Sequence, residues 1–282
     1  MMRHQKHEVL RLALSLALLG ATNAGAATDA PTARPLRIFA AGSLTGALTA
    51  VARQFTLQTG QKFDLVYGPA GIMRERIENG EAADLFASAN MVHPQTLADQ
   101  GLATPPVVMA RNQMCARALP EFKLTTENLL DRMLDPKVKI LTSTPKSDPG
   151  GDYAWMLFAK ADKIRPGAQA TLEAKALQLV GGKHDAPIPP GQDALQYYTS
   201  HKKVDISIGY CSSRKTTPDP AFTTVHMPPS LAITADYGLS VLTREGEAHE
   251  AAFRFAFFIL SPAAQNIIAE FGFTPVAQVA VY

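Results

Sequence analysis

Apolar residues recur along this chain with two spacings, one typical of buried strands and the other of amphipathic helices. From residue 36 onward, a short apolar run precedes a segment whose apolar positions lie three and four residues apart, on one face of a helix. The same pair of patterns then repeats. The predicted order is strand 36–41, helix 44–58, strand 63–67, helix 72–78, strand 84–88 and helix 93–100. This order predicts a mostly parallel sheet with right-handed crossovers.

The two patterns continue along the chain and are interrupted by two loops rich in turn-forming residues. These loops lie at 144–151 and at 181–190, the second with three prolines. Further strands are predicted at 107–110, 139–143, 204–210 and 238–242, and further helices at 124–134, 152–161, 171–179, 192–200, 249–260 and 262–271. The segments indicate an α/β protein with two lobes.

The turn after the first predicted strand has the chemistry of a small anion site. The strand stops at residues 42 and 43, and Ser43 falls where the N-cap of the next helix belongs. A helix N-terminus presents unpaired N–H groups and a partial positive charge, and a hydroxyl there adds one more donor. Ser43 is therefore a candidate anion ligand. An ordinary cap is the alternative, and one geometry serves both.

The N-terminus has the pattern of an export signal. Arg3, Lys6 and Arg11 supply positive charge, a mostly apolar run follows at 12–19, and small residues lie at 23–26. That run is too short to span a bilayer, which takes about 20 residues. We expect a signal peptide at 1–26, cleaved after Ala26, and a periplasmic protein. A signal anchor that stays attached is the alternative.

Charge and motifs exclude several function classes. Without residues 1–26 the chain carries 24 basic and 24 acidic groups, so it lacks the basic surface typical of nucleic-acid binding. The sequence contains no G-x-S-x-G, P-loop, H-E-x-x-H or dinucleotide-binding motif. We therefore expect a binding protein rather than an enzyme, with no cofactor and no nucleic-acid partner.

The two cysteines, Cys115 and Cys211, each follow an apolar stretch. In an exported protein such a pair predicts a disulfide, here one that closes a long loop. Two buried free thiols are the alternative. A cysteine-based metal site is disfavoured, because neither cysteine has another Cys or a His at ligand spacing.

Several motifs together resemble the periplasmic molybdate-binding proteins, the substrate-binding components of ABC importers. They lie at 39–45 (FAAGSLT), 77–89 (IENGEAADLFASA), 149–151, 209–210, 260–262 and 271–273. The resemblance implies a type II periplasmic binding-protein fold, in which two lobes, with mixed sheets flanked by helices, close on a ligand in the cleft between them. It places lobe I at 36–110 plus 230–282 and lobe II at 111–229.

The resemblance also implies a set of ligand-binding residues. Family members hold a tetrahedral dianion with hydroxyls and with backbone N–H groups at helix N-termini. The matching positions here are Ser43, Ala70, Gly71, Gly150, Gly151, Gly191 and Tyr210.

Two features depart from that pattern or bear on the ligand. Members with molybdate usually carry serine in the second loop, where residues 68–71 read Gly-Pro-Ala-Gly. A lost hydrogen bond to a charged ligand costs about 1.5–3 kcal/mol unless a water, Thr45, Ser147 or Tyr153 replaces it.

Asp148 and Asp152 flank another loop. Because carboxylates repel an oxyanion, both are expected to point away; if they point inward, a cation or amine ligand is indicated.

The sequence thus predicts a monomeric periplasmic protein that delivers an oxyanion, molybdate or tungstate, to an ABC permease, with sulfate as the nearest competing ion. The alternatives are the same fold with a small organic anion or a metal complex as its ligand, or an exported sensor without a transport partner.

Ferric-binding proteins of the same broad fold use adjacent tyrosines as iron ligands. For Tyr197 and Tyr198 we favour a structural role, with one ring in the core and one at the surface.

Overall fold

The computed structural model describes residues 34–186, 188–189, 194–201, 203–212, 216, 219–243 and 247–276. Its first elements follow the apolar pattern. They are β1 (Leu36–Ala41), α1 (Thr45–Thr59), β2 (Phe63–Gly68), α2 (Ala70–Glu78), β3 (Leu85–Ser88) and α3 (Val92–Asp99). β1 is buried along almost its whole length, and α1 buries one face and ends at Gly60, whose φ of 76° suits glycine.

The later elements surround two loops and a long strand. They are β4 (Val107–Ala118), α4 (Leu129–Leu134), β5 (Ile140–Ser143), α5 (Pro149–Ile164), α6 (Ala168–Lys175), β6 (Ala176–Val180), α7 (Ala194–Ser200), β7 (Ile206–Tyr210), β8 (Thr223–His226), β9 (Thr234–Val241), α8 (Glu247–Ile259) and α9 (Pro262–Glu270). Short 3₁₀ turns lie at Gly42–Leu44 and Pro120–Phe122.

Three predicted elements differ from the structure because of pairing between distant strands. The helix predicted at 171–179 ends at Lys175, and the chain continues as β6, which pairs in parallel with β5. β4 runs far beyond residue 110 and β9 begins before residue 238, since the two strands pair with each other. The sequence does not predict β8, which pairs with β4.

The sheet is mixed. The strands lie in the order β2–β1–β3–β9–β4–β7–β5–β6, and β8 also pairs with β4. The pairs β1–β2, β1–β3, β5–β6 and β5–β7 are parallel, whereas the described pairings that involve β4 or β9 are antiparallel. The predicted mixed α/β class is therefore confirmed. Parallel pairs do not outnumber antiparallel ones, because β4 and β9 lie between two parallel groups.

Buried side chains form two main clusters. The first core draws its buried residues from 36–110 and 235–273, and the second core from 114–233. β4 contributes Met109 and Ala110 to the first core and Met114 and Ala116 to the second, so this strand runs from one core into the other.

Among the described residues, no single helix is long and apolar enough to cross a bilayer. The part of α8 from Ala248 and α9 together reach that length and apolarity, but the two helices are bent by 65° relative to each other.

Candidate functional site

A cavity of about 510 Å³ lies where strands from both cores end. The last residues of β1, β2, β5, β6 and β7 all line it: Ala41, Gly68, Ser143, Val180 and Tyr210. Carboxyl ends of strands in α/β proteins are the usual place for ligands, because the loops that follow converge there. The remaining lining residues are Gly42, Ser43, Thr45, Tyr67, Pro69, Asp148, Gly181, Ile188, Pro189, Ala194 and Ser212.

Ser43 lines this cavity, but it is not an N-cap. It lies inside the 3₁₀ turn, and Leu44, which precedes α1, has helical backbone angles and makes no side-chain cap. The chain tightens into the turn directly after β1, which shifts the helix start beyond Ser43. The Ser43 hydroxyl instead lies 2.9 Å from the hydroxyl of Tyr237, a fully buried residue of β9.

Asn112 of β4 sets the direction of the hydrogen bonds beneath the cavity. Its Oδ1 faces the backbone N–H groups of Gln113 (2.9 Å) and Ser212 (3.3 Å), so the opposite amide atom is the donor Nδ2. Nδ2 donates to Ser212 Oγ at 2.7 Å and to Tyr237 Oη at 3.3 Å.

Ser43 and Ser212 are the two hydroxyl groups of this network that also line the cavity. Either hydroxyl can be the donor in the bond between Ser43 and Tyr237. Because Ser212 Oγ accepts from Asn112, the hydrogen of Ser212 is not used in that bond. Burial raises the pKa of Tyr237, against smaller opposing effects of its hydrogen bonds, so this phenol keeps its proton.

Tyr210 brings a third hydroxyl to the cavity. Its Oη is buried and lies near the hydroxyl of Tyr237, but it has no partner in hydrogen-bond geometry among the described residues. Burial raises the pKa of Tyr210, and the nearby Tyr237 and Asp148 raise it further. A buried phenol without a partner costs free energy unless a ligand or water accepts its hydrogen. Of the residues matched by the family resemblance, Ser43 and Tyr210 line the cavity.

The second loop does not supply the expected donors. Ala70 is buried and is not among the residues that line the cavity. The N–H of Gly71 donates to the carbonyl of Ser147 at 3.0 Å, so it is not free for a ligand. The expectation for Gly71 is therefore wrong, because the start of α2 packs directly against the loop before α5.

The N–H groups of the two glycines at the start of α5, Gly150 and Gly151, are also engaged within the protein. The N–H of Gly150 donates to Asp148 Oδ1 and that of Gly151 to the Asp148 carbonyl, both at 2.9 Å. Asp148 caps its own helix and so occupies both backbone donors. Gly191 lies outside the described residues.

Asp148 lies at the wall of the cavity, although charge repulsion predicts that it points away. Its Oδ1 accepts the N–H of Gly150, and the Ser143 hydroxyl lies close enough to lower the pKa of this carboxyl group. Burial raises the pKa of Asp148; the bonds from Gly150 and Ser143 oppose this, and the charges of Asp152 and Asp185 add to it. Asp152 lies outside this cavity and accepts from the N–H of Lys146 at 2.8 Å.

Four residues at or beneath the cavity are not predicted from the sequence pattern: Asn112, Ser143, Ser212 and Tyr237. Asn112 offers one signal, since it is a polar residue at a position that the alternation of β4 places on the buried side, in phase with Ala110 and Met114.

The residues suggested as replacements for the missing serine differ in their positions. Thr45 lines the cavity and donates to the carbonyl of Gly42 at 2.7 Å, whereas Ser147 and Tyr153 are not lining residues.

Cys115 and Cys211 lie at disulfide distance, with Cα atoms 4.9 Å apart and a sequence separation of 96 positions. Cys211 lies between the lining residues Tyr210 and Ser212, so the pair ties this wall of the cavity to β4. His226 Nδ1 lies 3.6 Å from Cys115 Sγ and 3.8 Å from Cys211 Sγ. Sequence spacing alone misses this histidine, which β8 brings beside the pair. Sulfurs bonded to each other are not metal ligands.

Tyr197 and Tyr198 do not line the cavity. Tyr198 is buried in a small apolar cluster, and Tyr197 is partly exposed and packs against it. This placement agrees with the structural role.

The two cores meet across the cavity through direct contacts. Besides the bond from Gly71 to Ser147, the Tyr153 hydroxyl donates to the carbonyl of Ala89 at 3.3 Å, and Lys183 pairs with Glu75. Each contact joins the first part of the chain to a segment around or after α5. The two halves of the chain are therefore in direct contact beside the cavity.

Comparison with known proteins gives a consistent family and fold. The family model described as bacterial extracellular solute-binding protein matches residues 36–274. The uncharacterized protein PM1146 of Pasteurella multocida is 34% identical over 218 residues, which cover 74% of this chain and 88% of that protein.

Two solved structures illustrate the shared fold. The periplasmic molybdate-binding protein of Azotobacter vinelandii has a TM-score of 0.69 and 20% identity, over 86% of this chain and 100% of its own. PEB3 of Campylobacter jejuni, with L-phospholactate bound, has a TM-score of 0.66 and 15% identity, over 85% and 99%. These likenesses show the two-lobed fold of periplasmic binding proteins.

Proposed function

This chain belongs to the family of bacterial extracellular solute-binding proteins, and from that premise we propose that it captures a small oxyanion in its cleft and hands it to an ABC permease. The chain acts as a monomer in the periplasm, after removal of residues 1–26. The division into lobe I (36–110 plus 230–282) and lobe II (111–229) is supported by the two buried cores, which separate near the same residues.

One observation carries the ligand class. The hydroxyl groups of Ser43, Ser212 and Tyr210 converge on the cavity, where Ser212 accepts from Asn112 and Tyr210 has no acceptor in hydrogen-bond geometry among the described residues. Three convergent donors fit a ligand that presents several acceptor oxygens. The bound solutes named for the two structural neighbours, molybdate and L-phospholactate, both have that property.

Molybdate and tungstate remain candidates, but several features favour a larger or different oxyanion. The second loop has no hydroxyl, and the N–H groups of Gly71, Gly150 and Gly151 are occupied. The cavity of about 510 Å³ also has room for more than five heavy atoms, since a water occupies about 30 Å³ of liquid. A small organic oxyanion fills this space better than a single tetrahedral ion.

The proposal is tested with protein purified from the periplasm of an expression host. Calorimetric titration and thermal unfolding are measured with molybdate, tungstate, sulfate, phosphate and a small phosphomonoester. We expect heat and a rise in Tm with at least one of them, because a ligand that binds only the folded state stabilises it. Absence of both signals with every anion would overturn the proposal.

A further inference from the structure

His226 lies beside both cysteine sulfurs, outside the cavity. Its Nδ1 is 3.6 Å from Cys115 Sγ and 3.8 Å from Cys211 Sγ, and the three atoms all lie within 4.8 Å of one another. Thiolate sulfur and imidazole nitrogen are the ligands that Zn²⁺ takes most often in proteins. The fold therefore brings the donor set of a zinc site to one place.

Backbone pairing holds the three residues independently of a bond between the sulfurs. Cys115 of β4 lies opposite His226 of β8, and the N–H of Cys211, just after β7, donates to the carbonyl of Gln113 in β4 at 2.8 Å. The Thr126 hydroxyl donates to the carbonyl of His226 at 3.1 Å. Because strand pairing positions them, we expect the three side chains to stay together when the disulfide is broken.

The distances suit a tetrahedral zinc ion. Zinc–sulfur bonds of about 2.3 Å and zinc–nitrogen bonds of about 2.0 Å place the nitrogen about 3.5 Å from each sulfur. The separations of 3.6 and 3.8 Å are close to this value. The sulfurs, once released from each other, have to lie about 3.8 Å apart. Cys211 is partly exposed and lies beyond the end of β7, so it is the residue placed to make this movement.

Burial favours a metal over free thiolates at this position. Cys115 is 1% exposed, so an isolated thiolate there would carry a large desolvation cost. Two thiolates, a neutral imidazole and Zn²⁺ together have no net charge, which removes much of that cost. Cys211 is partly exposed and His226 is exposed, so an ion reaches the site from their side, where a water can complete four-fold coordination.

We propose that Cys115, Cys211 and His226 form a Zn²⁺ site when a dithiol reductant has opened the disulfide. The dithiol supplies two electrons and two protons, which convert the disulfide to two thiols, and itself becomes a disulfide. On metal binding the two thiols release their protons to solvent, while the neutral imidazole gives a lone pair and loses no proton. Zinc then links the end of β7 to β4 in place of the disulfide, and links β8 as well.

Cobalt(II) tests the ligand set directly, because bound thiolates give it a charge-transfer absorption in the near ultraviolet and tetrahedral geometry gives it strong visible bands. The untagged chain without residues 1–26 is produced in the cytoplasm of an expression host, where thiols stay reduced, and is kept under nitrogen. Thiol counting confirms two free thiols before titration. We expect one equivalent of Co²⁺ to bind with both absorptions and one equivalent of Zn²⁺ to displace it. The oxidised chain should show neither absorption.

His226→Ala tests the histidine, with affinity for Zn²⁺ measured against a chromophoric chelator. Affinity should fall tenfold or more, because even the loss of a group that only orients a metal ligand costs about tenfold to hundredfold. His201→Ala, at another exposed position, is the matched control and should bind as wild type does. If His226→Ala disturbs β8, as seen by circular dichroism, His226→Thr, with a side chain favoured in strands, should show the same loss.

Protection from oxidation gives an independent readout. Thiolates held by zinc are less free to attack a disulfide, so Zn²⁺ should slow reoxidation by oxidised glutathione about tenfold or more in wild type and much less in His226→Ala. Equal Zn²⁺ affinity in wild type and His226→Ala would overturn the proposed site. Cobalt binding by the reduced chain without charge-transfer absorption, no cobalt binding at all, or a reduced chain that stays unfolded with Zn²⁺ present would overturn it too.

Discussion

At the scale of single residues, the cavity depends on the direction of a few hydrogen bonds. Asn112 is 2% exposed, and its amide is oriented by two backbone N–H groups. That orientation makes Tyr237 Oη and Ser212 Oγ acceptors of hydrogen bonds from the Asn112 amide. A buried amide directly beneath the cavity thereby fixes what the Ser212 hydroxyl can offer at the surface.

Tyr210→Phe tests the unpartnered phenol. The variant keeps the ring but loses a donor to a charged ligand, so affinity for whichever oxyanion binds wild type should fall about ten- to hundredfold. Titration calorimetry measures the change. Tyr197→Phe, outside the cavity, is the matched control and should bind as wild type does. Unchanged affinity in Tyr210→Phe would remove this hydroxyl from the site.

His93 is expected to make stability depend on pH. It is 6% exposed and neither ring nitrogen has a hydrogen-bond partner among the described residues. Burial, and then the charge of Arg74, lower the pKa of His93 to about 4, against an opposing effect of Glu75. Its usual value is about 6.5, so as pH falls below 6.5 the unfolded state takes up a proton that the folded state excludes.

The free energy of unfolding should therefore drop by about 2 kcal/mol between pH 7 and pH 5 through His93 alone. Urea denaturation at several pH values measures this slope. His93→Gln should flatten it, whereas His201→Gln, at an exposed position, should not. Equal slopes in wild type and His93→Gln would contradict the assignment.

At the scale of elements, strand ends carry the site. Five strands from both cores end at the cavity, and the two cysteines tie the end of β7 to β4. Cys115 lies opposite both Gly209 of β7 and His226 of β8 in the antiparallel pairings. Since Tyr210 and Ser212 flank Cys211, the crosslink holds two hydroxyl groups of the cavity wall beside β4, the strand that carries Asn112.

A disulfide between Cys115 and Cys211 predicts no free thiol in the denatured, non-reduced protein. Cys115→Ser/Cys211→Ser should lower the free energy of unfolding by about 2–4 kcal/mol, because the crosslink restricts the unfolded chain. Thiol counting and denaturant titration check both statements. Added reductant should reproduce the loss in wild type and change nothing in the double variant. Two reactive thiols in wild type would refute the crosslink.

At the scale of the whole molecule, the two cores contact each other beside the cavity. Gly71 is central to this contact, since an added Cβ would lie 2.5 Å from the Lys146 carbonyl and 2.7 Å from the Ser147 carbonyl. Its N–H also donates to Ser147. The glycine expected to bind the ligand thus joins the two halves instead.

Gly71→Ala should therefore keep the molecule from closing fully. With saturating ligand, small-angle scattering should show a larger radius of gyration than wild type, and affinity should fall about tenfold or more because closed-state contacts are lost. Gly209→Ala, where an added Cβ meets nothing within 4 Å, is the control and should close normally. A Gly71→Ala variant as compact as wild type would show that closure tolerates the methyl group.

Local sequence determines much of this protein. Apolar spacing specifies β1, α1, β2, α2, β3 and α3, because burial of a strand or of one helix face needs only local periodicity. The motif at the end of β1 also places Ser43 beside the cavity.

Tertiary structure decides what local pattern leaves open. The lengths of β4 and β9, and the change from α6 to β6, follow from strand pairing between distant segments. The roles of Asn112 and Tyr237, and the engagement of the Gly71 N–H group, depend on groups far apart in sequence. A hydrogen bond has direction and needs a partner within about 3 Å, and only the folded chain supplies that partner.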